Sequence, residues 1–230
     1  MEPHTHDGSA DGGTAARPGG PRITSRARAR VIGRIADHLI AGRPEHTLRV
    51  AVDGVTAAGK TMLAGELADA IRDQGRPALR LSMDGYHYPR AHRHRQGAAS
   101  ATGYYRDAYD FTRFADLVLA PLGPGGPGRY IPAVLDLRAD APVAAEPVPA
   151  PPGAVLVVDG SFLQRAELAG LWDEVVFVDT DLDQARARGV ARDRDLLGGS
   201  DAAESAFRDR DHAACRLYLD DVDQPVAPAS

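Results

Sequence analysis

The sequence of 230 residues predicts an α/β fold with a doubly wound parallel sheet. Short apolar segments alternate with segments of helical spacing, and this alternation indicates right-handed β-α-β crossovers. The run 154–159 is apolar on both faces, as is typical of a central parallel strand. A glycine-rich loop joins a strand at 48–53 to a helix at 60–73. We therefore expect a ligand crevice beyond the carboxyl ends of the strands.

The remaining elements follow from periodicity and from turn residues. The first helix begins at a cap on Thr24 or Ser25 and ends near Ala41, before Gly42-Arg43-Pro44. In chain order, the other predicted elements are strand 78–84, a polar loop at 85–103, helix 111–119, part of a hairpin at 129–137, a Pro/Ala connector at 141–152, strand 154–159, a helix near 165–171, strand 174–179, and helices 182–197 and 204–219.

The loop after the first strand has the pattern G-x-x-x-x-G-K-[ST], which predicts a phosphate-binding loop, or P-loop. Lys60 is the only lysine among the 27 basic residues, and its compact charge fits a narrow loop better than an arginine fork does. We expect Lys60 to contact the β- and γ-phosphates of ATP and the Thr61 hydroxyl to bind Mg²⁺. The alternative is a glycine turn that only caps a helix. The predicted nucleotide-binding residues are Gly54, Val55, Thr56, Ala57, Ala58, Gly59, Lys60 and Thr61.

Three predicted strands end in Asp-Gly, at Asp53, Asp84 and Asp159. Asp-Gly is also ordinary turn chemistry, so each pair alone has that alternative. Three such pairs at parallel strand ends would place three carboxylates on one rim of the sheet. Asp159 follows four apolar residues and has the form of a Walker B acid that holds the metal. Asp84 could accept the proton of an attacking hydroxyl.

The predicted helix 182–197 carries Arg186, Arg188, Arg192 and Arg194. Arg188 and Arg192 are four residues apart and share a face. Arginines on such a helix can close over a transferring phosphoryl group and neutralise its charge. The alternative is a solvated helix on which nearby aspartates pair with the arginines.

The polar loop contains His87, His92 and His94, a set that could suggest a metal site. Arg90, Arg93 and Arg95 lie beside them and would repel a cation. A basic loop over an anionic substrate is the better interpretation.

Composition excludes several classes of function. The net charge of −5 provides no overall basic field for nucleic acid or an anionic membrane. No apolar run approaches the roughly 20 residues of a membrane span, and the N-terminus lacks the apolar core of a secretory signal. The single cysteine, Cys215, fits a reducing cytoplasm. We predict a cytoplasmic protein and leave a homo-oligomer open. The predicted organisation is disordered tails at 1–22 and 220–230 around a domain at 23–219, with an acceptor-side insertion at 85–152 and a lid at 182–199.

Together these motifs resemble the uridine kinase, phosphoribulokinase and pantothenate kinase superfamily of P-loop kinases, and most of all its bacterial uridine kinase-like members. The resemblance implies that Asp84 is the catalytic base, that Asp159 is the Walker B acid and that Arg192-Asp193 is the lid motif. Residues predicted to bind the acceptor are Tyr86, His87, Tyr104, Tyr105 and Asp110. The segments that carry the resemblance are 52–61, 82–87, 103–111, 158–163 and 189–193.

The sequence departs from the nucleoside kinases of that superfamily at four points. Tyr104 stands near the place of an aspartate that holds ribose hydroxyls, and the region 136–140 lacks the histidine that contacts uracil. The first lid arginine aligns near Gly189, with Arg188 one residue away. After the last helix no Val/Ile-rich strand follows, which predicts a sheet that lacks its C-terminal edge strand.

The sequence thus favours an ATP- and Mg²⁺-dependent kinase that phosphorylates a hydroxyl of a small metabolite. The first candidate for the acceptor is uridine or a related nucleoside. A nucleotide-binding module without an acceptor, or a degenerate kinase without acceptor activity, is the alternative.

Overall fold

The computed structural model describes residues 25–42 and 44–222. The strands are β1 (Leu48–Gly54), β2 (Ala78–Ser82), β3 (Arg129–Tyr130), β4 (Leu135–Asp136), β5 (Ala141–Pro142), β6 (Val148–Pro149), β7 (Val155–Asp159) and β8 (Glu174–Val178). The α-helices are α1 (Arg26–Ala41), α2 (Lys60–Asp73), α3 (Arg90–Arg93), α4 (Ala101–Asp107), α5 (Phe111–Phe114), α6 (Ala120–Leu122), α7 (Leu182–Asp193), α8 (Ser200–Ala206) and α9 (His212–Asp221). Short 3₁₀ turns occupy Met83–Tyr86 and Ala166–Leu168, and π-helical turns occupy Ala115–Leu119 and Phe207–Asp211.

Four parallel strands form the central sheet, in the order β2-β7-β1-β8. The register places Asp159 opposite Val52 on one side and opposite Ser82 on the other. Every residue of β1 and β7 is buried, as expected for central parallel strands. The prediction of an α/β parallel sheet is confirmed, and the register brings the carboxyl ends of β1, β2 and β7 to one edge.

Helices cover both faces of this sheet because successive strand residues point to opposite sides. On one face, Val50 and Val52 belong to a core cluster with Leu67 and Ile71 of α2. On the other face, the neighbouring residue Ala51 belongs to a second cluster, which includes the helical segment 111–122 and α9. The sheet therefore has the doubly wound arrangement that the sequence predicts.

The structure differs from the sequence prediction mainly between the core strands. The predicted Pro/Ala connector contains β5 and β6, which pair antiparallel with β4 and β3 respectively. The polar loop at 85–103 includes α3 and the start of α4, and the helix predicted near 165–171 is only a 3₁₀ turn. Strand β2 ends at Ser82, so Asp84 lies in a 3₁₀ turn. Pairing between distant short segments depends on packing rather than on local propensity, which explains these differences.

Strand β8 forms one edge of the sheet within residues 25–42 and 44–222. It pairs only with β1, its five residues are half-buried, and no strand follows α9 up to residue 222. The predicted tails at 1–22 and 220–230 lie outside the described residues, except for positions 220–222. In the described part of the chain, no helix has the length and apolar character needed to span a membrane.

Candidate active site

The P-loop begins where β1 ends, and Gly54 is required there by a close approach. Its φ angle is +143°, and an added Cβ atom would lie 2.7 Å from the carbonyl oxygen of Val178. Gly59, with φ of +100°, starts α2. The Lys60 ammonium donates hydrogen bonds of 2.8 Å to the carbonyl oxygens of Gly54 and Val55. Burial lowers the pKa of Lys60, while Asp53 acts in the opposite direction. The lysine thus lies inside the curve of the loop, with its charge next to the amides that would face phosphates.

Thr61 and Asp159 are in direct contact, which is the arrangement a Mg²⁺ site needs. The Thr61 hydroxyl donates to Oδ2 of Asp159, and the carboxylate of Asp159 is almost fully buried. Hydroxyl and carboxylate oxygens suit Mg²⁺, which binds through few protein ligands and keeps several waters. These two residues therefore fit the ion, although they are separated by 98 positions in the chain.

No group of three or more His, Cys, Asp or Glu side chains able to hold a metal occurs among the described residues. The three histidines of the polar loop do not converge there. The ring of His92 stacks on Tyr88 at 4.0 Å, and the buried ring of His87 packs on Tyr109 at 4.2 Å.

Asp84 lies in the 3₁₀ turn after β2, with its carboxylate open to solvent at the carboxyl edge of the sheet. Oδ1 of Asp84 is 3.9 Å from Nδ1 of His87. The protein packed around the exposed carboxylate raises the pKa of Asp84, and the neighbouring charge of Asp159 raises it further. Lys60 and Arg192 oppose this shift. A carboxylate with a raised pKa is a stronger proton acceptor, so Asp84 has the chemistry of a general base.

Aromatic side chains form a continuous wall beside Asp84. His87 contacts Tyr109, the rings of Tyr109 and Tyr104 lie 6.4 Å apart, and the Arg210 guanidinium lies 4.3 Å from the Tyr104 ring. Burial lowers the pKa of His87 to about 4, so this ring is neutral at pH 7. Burial also raises the pKa of Tyr104 to about 12. The wall thus combines neutral rings with the positive charges of Arg93 and Arg210.

Three of the residues predicted to bind the acceptor make contacts within the protein. The Tyr86 hydroxyl donates to the Ile131 carbonyl oxygen at 2.5 Å, and its ring is in the core. The Tyr105 ring lies under the Arg165 guanidinium at 4.4 Å. Asp110 caps α5, where its carboxylate accepts a hydrogen bond from a backbone amide. The partners of Tyr86 and Tyr105 are distant from them in the sequence, and the contact of Asp110 depends on where α5 begins. Residue type alone therefore does not reveal these contacts.

The predicted lid residues lie on α7 and are exposed. Arg192 forms hydrogen bonds of 2.8 and 2.6 Å with its neighbour Asp193, and Arg188 points to solvent. Gly189 lies between them and faces Phe207, because an added Cβ would be 2.4 Å from that ring. The ring of Phe207 therefore leaves no room for an arginine at position 189.

A buried hydrogen-bond network around Asp53 holds the start of the P-loop. Oδ1 of Asp53 accepts from the Gly54 amide at 2.7 Å. Oδ2 accepts from the Tyr218 hydroxyl and, at 3.3 Å, from Gln164. Burial raises the pKa of Asp53, and these hydrogen bonds oppose the shift. Asp53 therefore holds the entrance of the loop through contacts that the sequence did not indicate.

One face of α9 contacts the P-loop and the end of β1 through three side chains that are spaced three residues apart. His212 Nε2 lies 3.3 Å from the Thr56 carbonyl oxygen, Cys215 Sγ accepts from the Thr56 amide at 3.4 Å, and Tyr218 bonds to Asp53. A spacing of three residues keeps these side chains on one helix face. The Thr56 amide therefore has a partner within the protein, the buried thiol of Cys215.

Comparison with known proteins gives solved structures only, since no family model and no curated protein matches the chain. A possible uridine kinase from Bacillus stearothermophilus aligns at 22% identity over 84% of this chain and 91% of its own, with a TM-score of 0.65. A protein provisionally described as a fructose transport system kinase, from Silicibacter sp. TM1040, aligns at 23% identity over 83% and 94%, with a TM-score of 0.69. This chain has the fold of the P-loop kinases. A D-glycerate 3-kinase from Cryptococcus neoformans shares it at 14% identity over 88% and 92%, with a TM-score of 0.60.

The P-loop kinase fold explains why the site residues come from separate strands. The P-loop follows β1, Asp84 follows β2 and Asp159 ends β7, and these strands are neighbours in the sheet. The three related structures act on different compounds by their descriptions, so the fold by itself does not select an acceptor.

Proposed function

We propose that this protein is an ATP- and Mg²⁺-dependent kinase that phosphorylates a hydroxyl group of a small metabolite. The observation that carries the proposal is the meeting of Thr61, Asp159 and Asp84 at one edge of the sheet. Thr61 bonds to Asp159, and the charge of Asp159 is near enough to raise the pKa of Asp84. Phosphoryl transfer requires a phosphate-binding loop, a pair of metal ligands and a proton acceptor close to one another, and these residues supply all three.

In this proposal the acceptor oxygen attacks the γ-phosphorus of ATP while Asp84 takes the proton of the hydroxyl. A bond forms between that oxygen and the γ-phosphorus, and the bond from the γ-phosphorus to the β,γ-bridging oxygen breaks. ADP leaves with the bonding electrons. Lys60 neutralises the β- and γ-phosphates, and Arg188 and Arg192 approach the transferring group when α7 closes. Thr61 and Asp159 would hold Mg²⁺, which would neutralise further charge on the phosphates.

Uridine or a related nucleoside is the first acceptor to test. The sequence resemblance to uridine kinase-like proteins supports it, as does the structural likeness to a possible uridine kinase. Tyr104, which is only partly buried, is the ring of this wall on which a planar base could pack. Sugars and hydroxy acids are the next candidates, since structures of the same fold are described as acting on them. We place the enzyme in the cytoplasm on the basis of the single cysteine.

The test is a screen of nucleosides, sugars and hydroxy acids by coupled ADP release, with Lys60→Ala as the blank. We expect one acceptor class to stimulate ADP release and Asp84→Asn to lower kcat by about 100-fold or more, because a positioned base contributes that much. Asp116→Asn removes an exposed carboxylate outside the site and should leave kcat unchanged. ADP release that no acceptor stimulates, or that Asp84→Asn leaves intact, would contradict the proposal.

Within residues 25–42 and 44–222 only β1 pairs with β8, and this open edge favours two alternatives, a degenerate kinase and a nucleotide-binding module without acceptor activity. An open edge next to β1 could weaken the support of the P-loop. Mg·ATP that binds the native state must raise the melting temperature. No shift would indicate the degenerate kinase, whereas a shift with ATP hydrolysis at full rate without any acceptor would indicate the module.

A further inference from the structure

Arg80 is the one charged residue of the edge strand β2 and lies between Leu79 and Leu81. Its guanidinium donates one hydrogen bond to Oδ1 of Asp159 and another to the carbonyl oxygen of Leu81. The side chains of Arg80 and Asp159 are 21% and 5% exposed. The ion pair is thus largely shielded from water, where a charge needs a partner.

This ion pair completes the coordination of the Asp159 carboxylate. Thr61 donates to one oxygen and Arg80 donates to the other. Asp84 is close to both charges, since Asp159 raises its pKa and Arg80 lowers it. The Arg80 guanidinium therefore occupies Oδ1 of Asp159, an oxygen where a divalent cation would otherwise bind, and the Lys60 ammonium lies near the same two carboxylates. A cation that approaches Oδ1 of Asp159 must displace the guanidinium or stay apart from it.

We propose that Arg80 is the counter-ion of the metal-binding carboxylate and keeps Asp159 from taking up a divalent cation until nucleotide phosphates bring the ion. Repulsion between a guanidinium and a divalent cation is strong at such short range when solvent is excluded. The phosphates of a nucleotide add the negative charge that lets the metal compete for Oδ1. Arg80 then acts as a positioning residue through Asp159. The inference rests on the proposed function only for the identity of Asp159 as a metal ligand.

The test measures Mn²⁺ binding without nucleotide, by loss of the free-ion signal in electron paramagnetic resonance. Mn²⁺ prefers the same carboxylate and hydroxyl ligands as Mg²⁺. We expect Arg80→Met to bind Mn²⁺ at least tenfold more tightly than the native protein. Arg208→Met is the matched control, because it removes an exposed arginine that also pairs with an aspartate. Its Mn²⁺ affinity should equal that of the native protein.

A second substitution assigns the binding to Asp159. Asp159→Asn, added to Arg80→Met, should abolish the gain in Mn²⁺ affinity. If Arg80→Met does not fold, Arg80→Gln removes the charge while it keeps a polar group for the Leu81 carbonyl. A neutral variant that binds Mn²⁺ no better than the native protein, or a gain that survives loss of Asp159, would overturn the proposal. Because the readout needs no turnover, it can fail while the kinase activity stands, and the reverse also holds.

Discussion

Tyr218 is the residue through which α9 anchors the P-loop, and its hydroxyl is the atom to remove. In Tyr218→Phe the ring keeps its packing on Phe162, 5.3 Å away, while Oδ2 of Asp53 loses the stronger of its two donors. Asp53 is fully buried and cannot recruit water easily. It keeps the Gly54 amide and the weaker bond from Gln164. The substitution therefore removes the hydrogen bond to the buried carboxylate, together with the bond that the Gln164 backbone amide donates to the same hydroxyl at 3.1 Å.

The expected cost follows from the nature of this bond. A hydrogen bond to a charged group contributes about 1.5–3 kcal/mol, and a buried acceptor left without it pays its desolvation. We expect Tyr218→Phe to lower the free energy of unfolding by about 2 kcal/mol. For a domain of this size that corresponds to a fall in melting temperature of roughly 4–8 °C. The loop entrance at Gly54 also loses support, so KM for ATP should rise while KM for the acceptor stays constant.

Urea denaturation gives the change in stability, and initial rates at a temperature where both proteins are folded give the two KM values. Tyr130→Phe is the control, because Tyr130 is a buried tyrosine of β3 that does not contact the P-loop. It should cost less stability and leave KM for ATP unchanged. Equal losses in the two variants, or an unchanged KM for ATP in Tyr218→Phe, would refute the view that α9 positions the loop.

Two further predictions concern His87 and Gly189. The pKa of His87 is about 4 in the folded protein, whereas the ordinary value of 6.5 applies to the unfolded chain. Between pH 6.5 and pH 4 the unfolded chain therefore binds more protons than the folded protein. The free energy of unfolding should fall by about 2–3 kcal/mol from pH 7 to pH 4.5. Denaturation across this range should show a smaller loss in His87→Phe, and an identical loss would contradict the assignment. Gly189→Ala should cost about 1–3 kcal/mol because its Cβ meets the Phe207 ring. Adding Phe207→Leu should recover part of that loss, whereas strictly additive losses would count against the contact.

The P-loop and the strand-end carboxylates were predictable because their signals are local. Residues 54–61 are contiguous, and the flanking strand and helix have clear periodicity. Parallel strands place their carboxyl ends together, so Asp84 and Asp159 were expected on one rim before any coordinates. Gly54 was also predictable, because it belongs to the local P-loop pattern. The structure adds that a side chain at this position would collide with the Val178 carbonyl oxygen.

The wall of aromatic side chains beside Asp84 was only partly predictable. Tyrosines in the segment 104–109 suggested ring contacts, yet the sequence could not say which ring faces Asp84. The structure turns Tyr104 and Tyr109 to the wall and leaves Tyr105 under Arg165. The helical phase of α4 and the packing of α9 against it decide this orientation, and neither is encoded in a single residue type.

The sequence by itself determined the donor side of this protein, a phosphate-binding loop between a buried strand and a helix. Only the tertiary structure decided what surrounds that loop. Arg80 meets Asp159 across 79 positions, and Tyr218 meets Asp53 across 165. The residues near Arg80 and Tyr218 in the sequence do not indicate these contacts, because each partner is brought close only by folding.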